Sequence, residues 1–135
     1  MNTPKRNALV EELSGKDEPL LVPIARFFDG NDDLGSIGCN LTEHPGIDVF
    51  RKAFAALAQR PDVVAIYAQI AEPDPGADSW PFADTVYVFG SISEGELKAQ
   101  LARLEPDEVG PASGFNVPPA VTALHPQPVL VAWWD

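Results

Sequence analysis

The sequence predicts an α+β domain, a two-layer sandwich with two helices on one face of an antiparallel sheet. Three observations lead there. Ile47, Phe50, Phe54 and Leu57 recur at spacings of three and four, which makes one face of a helix apolar. Asp62 to Glu72 and Asp84 to Gly90 alternate with period two, as strands do. Ser93-x-x-Glu96 is a capping box, and Leu97, Leu101 and Leu104 follow it at helical spacing. A chain of 135 residues, 45% of them hydrophobic, is the size of one domain. It has enough apolar material for a core without a disulfide or metal staple.

Taken in order, residues 1–18 are polar and charged. They form either a short helix with Leu9, Val10 and Leu13 as its apolar positions or a loose arm. Leu20 to Phe28, LLVPIARFF, is short, apolar and bounded by polar residues, which predicts a buried strand. Pro23 lacks an N–H, so this strand belongs at a sheet edge or has Pro23 near its start. Asp29 to Gly35 is a dense run of turn formers, and Ser36 to Leu41 reads as a second short strand. His44-Pro45-Gly46 opens the first clear helix. Pro45 suits the first turn, Asp48 complements the dipole there, and Pro61 stops the helix.

In the next strand Val64, Ile66, Ala68 and Ile70 point one way, and Val63, Ala65, Tyr67 and Gln69 the other. A loop with Pro73, Pro75, Gly76 and Pro81 joins it to a strand that splits Val86 and Val88 from Thr85, Tyr87 and Phe89. The two strands make a hairpin. The second helix runs from about Glu94 to Leu104. Residues 105–128 form a long irregular segment with six prolines, whose Val109, Phe115, Val117, Val121 and Leu124 imply that it packs against something. Val129 to Trp134 is the last strand. The order β-α-β-β-α-β is that of the ferredoxin-like split βαβ fold. Trp133 and Trp134, adjacent in a strand, point to opposite faces. One enters the helix-facing core. The other stands on the open face, to be covered by the proline-rich segment or by a second chain.

The formal net charge is −11, and it is uneven: seven of nine basic side chains precede residue 61, whereas eleven of twenty acidic ones follow residue 60. Such a second half repels phosphates and anionic lipid, which disfavours nucleic acid and membrane surfaces. No stretch reaches the length needed to span a bilayer. No apolar run follows Lys5-Arg6, so no secretory leader is read. A single cysteine fits a reducing compartment, and a soluble, cytoplasmic protein is expected.

The chemistry-bearing residues are few. Asp29 to Asp33 offers oxygen ligands. Counted from Asp29, however, the calcium-loop pattern needs Gly at the sixth position, where Leu34 stands, and Glu at the twelfth, where Asn40 stands. The run reads first as a turn whose Asp and Asn side chains bond local N–H groups. Nothing marks Cys39 as an activated nucleophile beside His44 or His125, and it reads as a buried, inert thiol. Two distant histidines make a poor metal set. Gly35-x-x-Gly38 is no phosphate cradle, and no nucleophile elbow is present. Trp80 and Phe82, flanked by Asp78 and Asp84, either anchor a partner or tuck under the sheet to fix the loop.

Phe27-Phe28-x-Gly30-Asn31-Asp32-Asp33-x-Gly35-Ser36-Ile37-Gly38-Cys39-Asn40-Leu41 resembles a segment of an uncharacterised family of small bacterial proteins. So do Trp80-Pro81-Phe82-x-Asp84-x-Val86-Tyr87, Pro106-Asp107-Glu108 and the terminal Trp133-Trp134-Asp135. The resemblance implies a bacterial protein and carries over no functional residue.

The reading that follows is an acidic, non-catalytic binding or protein-interaction domain without cofactor, metal or catalytic residues. Its candidate binding residues are Asp32, Asp33, Trp80, Phe82 and Trp134, and its partner is another protein or a second copy in a homodimer. The alternative is a small-ligand binder or enzyme using the open sheet face near the Asp29–Asp33 loop.

Overall fold

Burial of one sheet face decides where most of the chain goes. In a computed structural model, which describes residues Met1–Asp135, five antiparallel strands carry four helices on one side and a proline-rich strap on the other.

The N-terminal arm is a helix, α1 (Thr3–Ser14). The Asn2 side chain accepts the Lys5 N–H at its start, and Leu9 and Leu13 bury against the core. The predicted strand Leu20–Phe28 divides in two. Only Leu21–Pro23 pairs as β1, and Ile24–Phe28 turns into a short helix, α2. Pro23 is the turning point, because it ends the ladder and stands at the helix N-cap. Ile24, Phe27 and Phe28 then share a buried helical face. A short apolar run broken only by Arg26 has no period that tells a strand from a buried helix. Of the two placements Pro23 allows, the edge is the one adopted, and not the inner place that the ferredoxin-like order required: β1 is the outermost strand on its side.

No strand forms over Ser36–Leu41. A 3-10 turn, Leu34–Ser36, stands there and irregular chain follows it, with Gly38 at φ +65°. The Asp33 side chain caps the turn, and buried Asn31 and Ser36 bond each other. These polar side chains satisfy the backbone locally, which a strand would do through a ladder.

Helix α3 (Ile47–Ala58) buries Ile47, Phe50, Phe54 and Leu57, as its spacing requires. Strands β2 (Val63–Glu72) and β3 (Phe82–Gly90) form the predicted hairpin. A bulge between Val63 and Ala65 turns Val63 into the helix-side core and leaves Val64 exposed, against the simple alternation. Beyond it, Ile66, Ala68, Ile70, Val86 and Val88 face the helices, and Tyr67, Tyr87 and Phe89 face the strap. Gly90 ends β3 at φ +152°. A Cβ there would lie 2.1 Å from the Asp62 carbonyl oxygen, so only glycine fits. Helix α4 (Glu94–Gln100) starts at the Ser93 cap and runs on into a 3-10 turn, Ala102–Leu104.

The proline-rich segment contains a strand the alternation does not reveal, β4 (Glu108–Pro111), followed by a 3-10 turn (Ala112–Gly114) and a one-turn helix, α5 (Pro119–Thr122). Glu-Val-Gly-Pro holds one large apolar side chain, too little to show a period. The last strand, β5 (Val129–Trp133), lies between β3 and β4.

The sheet order is β1-β2-β3-β5-β4. The ferredoxin-like order is therefore not the one adopted. It needs the first strand inside the sheet, and a three-residue strand ending in proline has no second ladder to offer. The helices nevertheless share one face, and the strap adds a third layer on the other. No helix is long and apolar enough to cross a membrane.

Candidate functional site

Three of the residues singled out in the sequence meet at one end of the β2–β3 hairpin. Asp33, Trp80 and Phe82 line a cleft of about 360 Å³, together with Cys39, Glu72 and Pro75. Each arrives for a local reason. Glu72 and Phe82 are the last partnered pair of the hairpin ladder. Asp33 is held by its own turn, with one carboxylate oxygen accepting the Gly35 N–H and the other accepting the Trp80 N–H, both at 2.9 Å. That second bond ties the turn to the hairpin loop across 47 positions of sequence.

Arg6 sets the loop before Trp80. Its guanidinium donates to the Ser79 carbonyl at 3.0 Å, to the Gly76 carbonyl at 2.6 Å and to Asp74 at 2.5 Å. Arg6 is almost fully buried and committed to that loop, and it pairs with neither cleft carboxylate. Neither Asp33 nor Glu72 has an ion-pair partner, and no Lys or Arg lines the cleft. The wall is aromatic: Trp80 is buried, its indole N–H without a partner, and Phe82 is half-buried. An aromatic wall beside two carboxylates suits a cation, through charge and through the ring quadrupole.

The remaining candidates lie elsewhere. Asp32 is exposed and pairs with the N-terminal ammonium at 2.6 Å. Trp134 packs in the helix-side core against Phe50 and Phe54 and donates its indole N–H to the Leu104 carbonyl at 2.8 Å. By alternation Trp133, half-buried, is the tryptophan on the strap side. Cys39 is exposed, where the sequence reading placed a buried thiol. The strand expected there is absent, and after Gly38 the chain turns outward. His44 accepts the Gly46 N–H at Nδ1, so its Nε2–H donates to the Ile37 carbonyl at 2.9 Å, a structural role. His125 lies across the molecule on Tyr67 and Phe89. No His, Cys, Asp or Glu side chains gather in a metal-holding group.

One hollow escapes sequence reasoning altogether. A groove of about 600 Å³ runs between α2 and α3, with Ile24, Phe28 and Phe54 as its apolar lining and Asp29, Arg26 and Arg51 around it. Both arginines are already engaged. Arg26 pairs with Glu12 at 3.2 Å, and Arg51 bonds Asp48 and the Phe28 and Asn31 carbonyls. Arg51 thereby caps the C-terminal end of α2 with a cation, where the helix dipole favours one. No sequence signal marks this groove, because α2 itself reads as strand.

A family model described as the uncharacterized protein YfbO family matches residues 4–130, and the chain belongs to that family. No curated protein and no solved structure matches.

Proposed function

We propose that this member of the uncharacterised YfbO family is a non-catalytic binding domain of the bacterial cytosol. In this reading the cleft between Asp33, Glu72, Trp80 and Phe82 takes a Lys or Arg side chain of a basic protein partner. One observation carries the reading: two carboxylates without an ion-pair partner beside an aromatic wall, in a chain of net charge −11. The surrounding field favours a basic partner and repels a second copy at this cleft.

The test is titration with a short Lys/Arg peptide at low salt, followed by tryptophan fluorescence, with an uncharged peptide of equal length as control. Glu72→Gln and Phe82→Ala should each weaken binding about three- to tenfold, the scale of an exposed cation–π or ion-pair contact. Added salt should weaken it further. Equal affinity for both peptides, or variants that bind like the parent, would overturn the reading.

The α2–α3 groove favours a second reading, a small-ligand binder. Its volume and apolar lining are in the range of ligand pockets. Asp29 borders it, so the Asp29–Asp33 loop would serve a ligand on the helix side, away from the sheet face that the strap covers.

A further inference from the structure

We infer that residues 112–126 form a strap that opens as one unit while the sheet beneath stays closed, and that the Tyr67–His125 contact is its latch. The hydrogen bonds point to this. Within the strap the Phe115 N–H donates to the Ala112 carbonyl and the Val117 N–H to that of Phe115. Likewise the Val121 N–H donates to Pro118, the Ala123 N–H to Pro119 and the Leu124 N–H to Val121. Every one of these bonds is local: none ties the strap to the sheet, and isolated single turns lose them once the strap leaves it. One hydrogen bond joins the strap to the rest of the molecule, between the Tyr67 hydroxyl and His125 Nε2 at 2.8 Å.

Apolar contact supplies the remaining hold, and it is small. Phe115, Val117 and Val121 rest on a cluster with Tyr87, Phe89, Val129 and Val131. The Phe115 ring lies over Gly110, where an added Cβ would stand 3.5 Å from it. The helix side joins 26 buried residues in one cluster, and the strap side joins five. Segments with few buried contacts and no ladder bonds to their neighbours open at lower free energy than the globule.

Both ends are fixed. Pro111 pairs with Leu130 in the β4–β5 ladder, and the Gly90 N–H donates to the Pro128 carbonyl. The strap is therefore hinged at both ends, with its latch beside the C-terminal hinge. Its position also sets the size of a cavity. Pro118 is one wall of a hollow of about 330 Å³ that Leu20 and Gln69 also line. Gln69 accepts the Tyr87 hydroxyl at 2.7 Å, so lifting the strap widens that hollow towards the Tyr87–Gln69 pair.

Native-state hydrogen exchange on the full chain tests this. The Phe115, Val117, Val121, Ala123 and Leu124 amides should exchange together, on the order of 100-fold faster than β3 and β5 amides. Tyr67→Phe keeps the ring and removes the latch. It should speed the strap amides about fivefold, the scale of one hydrogen bond, and leave β3 unchanged. Strap amides as protected as those of β3 would overturn the inference on the parent protein alone. A Tyr67→Phe effect spread evenly over sheet and strap would overturn the latch.

Discussion

Four helices cover one face of the sheet, and a strap of local turns covers the other. The helix side interdigitates Phe27, Phe28, Phe50, Phe54, Trp80 and Trp134 with the inward side chains of β2 and β3. Helices satisfy their own backbones, so an apolar stripe can be laid on the sheet without stranding an N–H or C=O. The strap has little regular structure. It covers Tyr87, Phe89 and Val131 with a few side chains, and three of its residues are prolines, which have no N–H to satisfy. The difference teaches that one sheet can have a face that defines global stability and a face whose cover is separable from it.

The largest break should come on the helix side. Trp134→Ala removes a fully buried ring that touches two phenylalanines and bonds the Leu104 carbonyl. Its loss should cost about 3–5 kcal/mol, read as a lower urea midpoint for the whole domain with unchanged cooperativity. The matching change on the other face is Val121→Ala, also at a fully buried position. Two methyl groups are worth roughly 1.5 kcal/mol. Most of that should appear as faster exchange of the strap amides, with the urea midpoint moving much less than for Trp134→Ala. Equal midpoint shifts for the two variants would erase the distinction between the faces.

The smallest effect is in pH dependence, and the two faces contribute to opposite limbs. Burial, with Asp84 nearby, holds the Tyr87 phenol above its ordinary range on the strap face. A raised folded-state value means that stability is fully present below the unfolded phenol's range near pH 10 and is lost as pH rises further. Tyr87→Phe should flatten that alkaline loss. On the helix side, the hydrogen bonds that Arg60 donates hold Asp62 below the usual carboxylate range. Its contribution is present above the unfolded carboxylate's value near pH 4 and fades as pH falls through the lowered one. Asp62→Asn should flatten the acid limb and leave the alkaline one as it is. Thermal melts from pH 2 to 11 on the two variants separate the limbs.

Legibility followed period. Residues 47–58, 63–72, 82–90 and 94–104 repeat their apolar positions often enough for type to be read directly, and facing too, except at Val63 and Val64, where the bulge reverses it. LLVPIARFF has a single charged position, Arg26, too little to set a period, and it became strand and helix on either side of Pro23. The cleft was half legible. Asp33, Trp80 and Phe82 stood out by residue type. Glu72 became part of it only through its pairing with Phe82, and Trp134 left it for the core.

By itself, the sequence determined an acidic α+β domain with its negative charge concentrated after residue 60, a β2–β3 hairpin, two amphipathic helices and a first strand that Pro23 confines to an edge or to its own start. These follow from short-range periodicity, capping and the missing N–H of proline. Strand order, the pairing of β4 beside β5, the strap on the second face and the exposure of Cys39 were decided only by tertiary structure. Each depends on contacts between distant positions, where free energy is set by which surfaces meet and which backbone groups find partners.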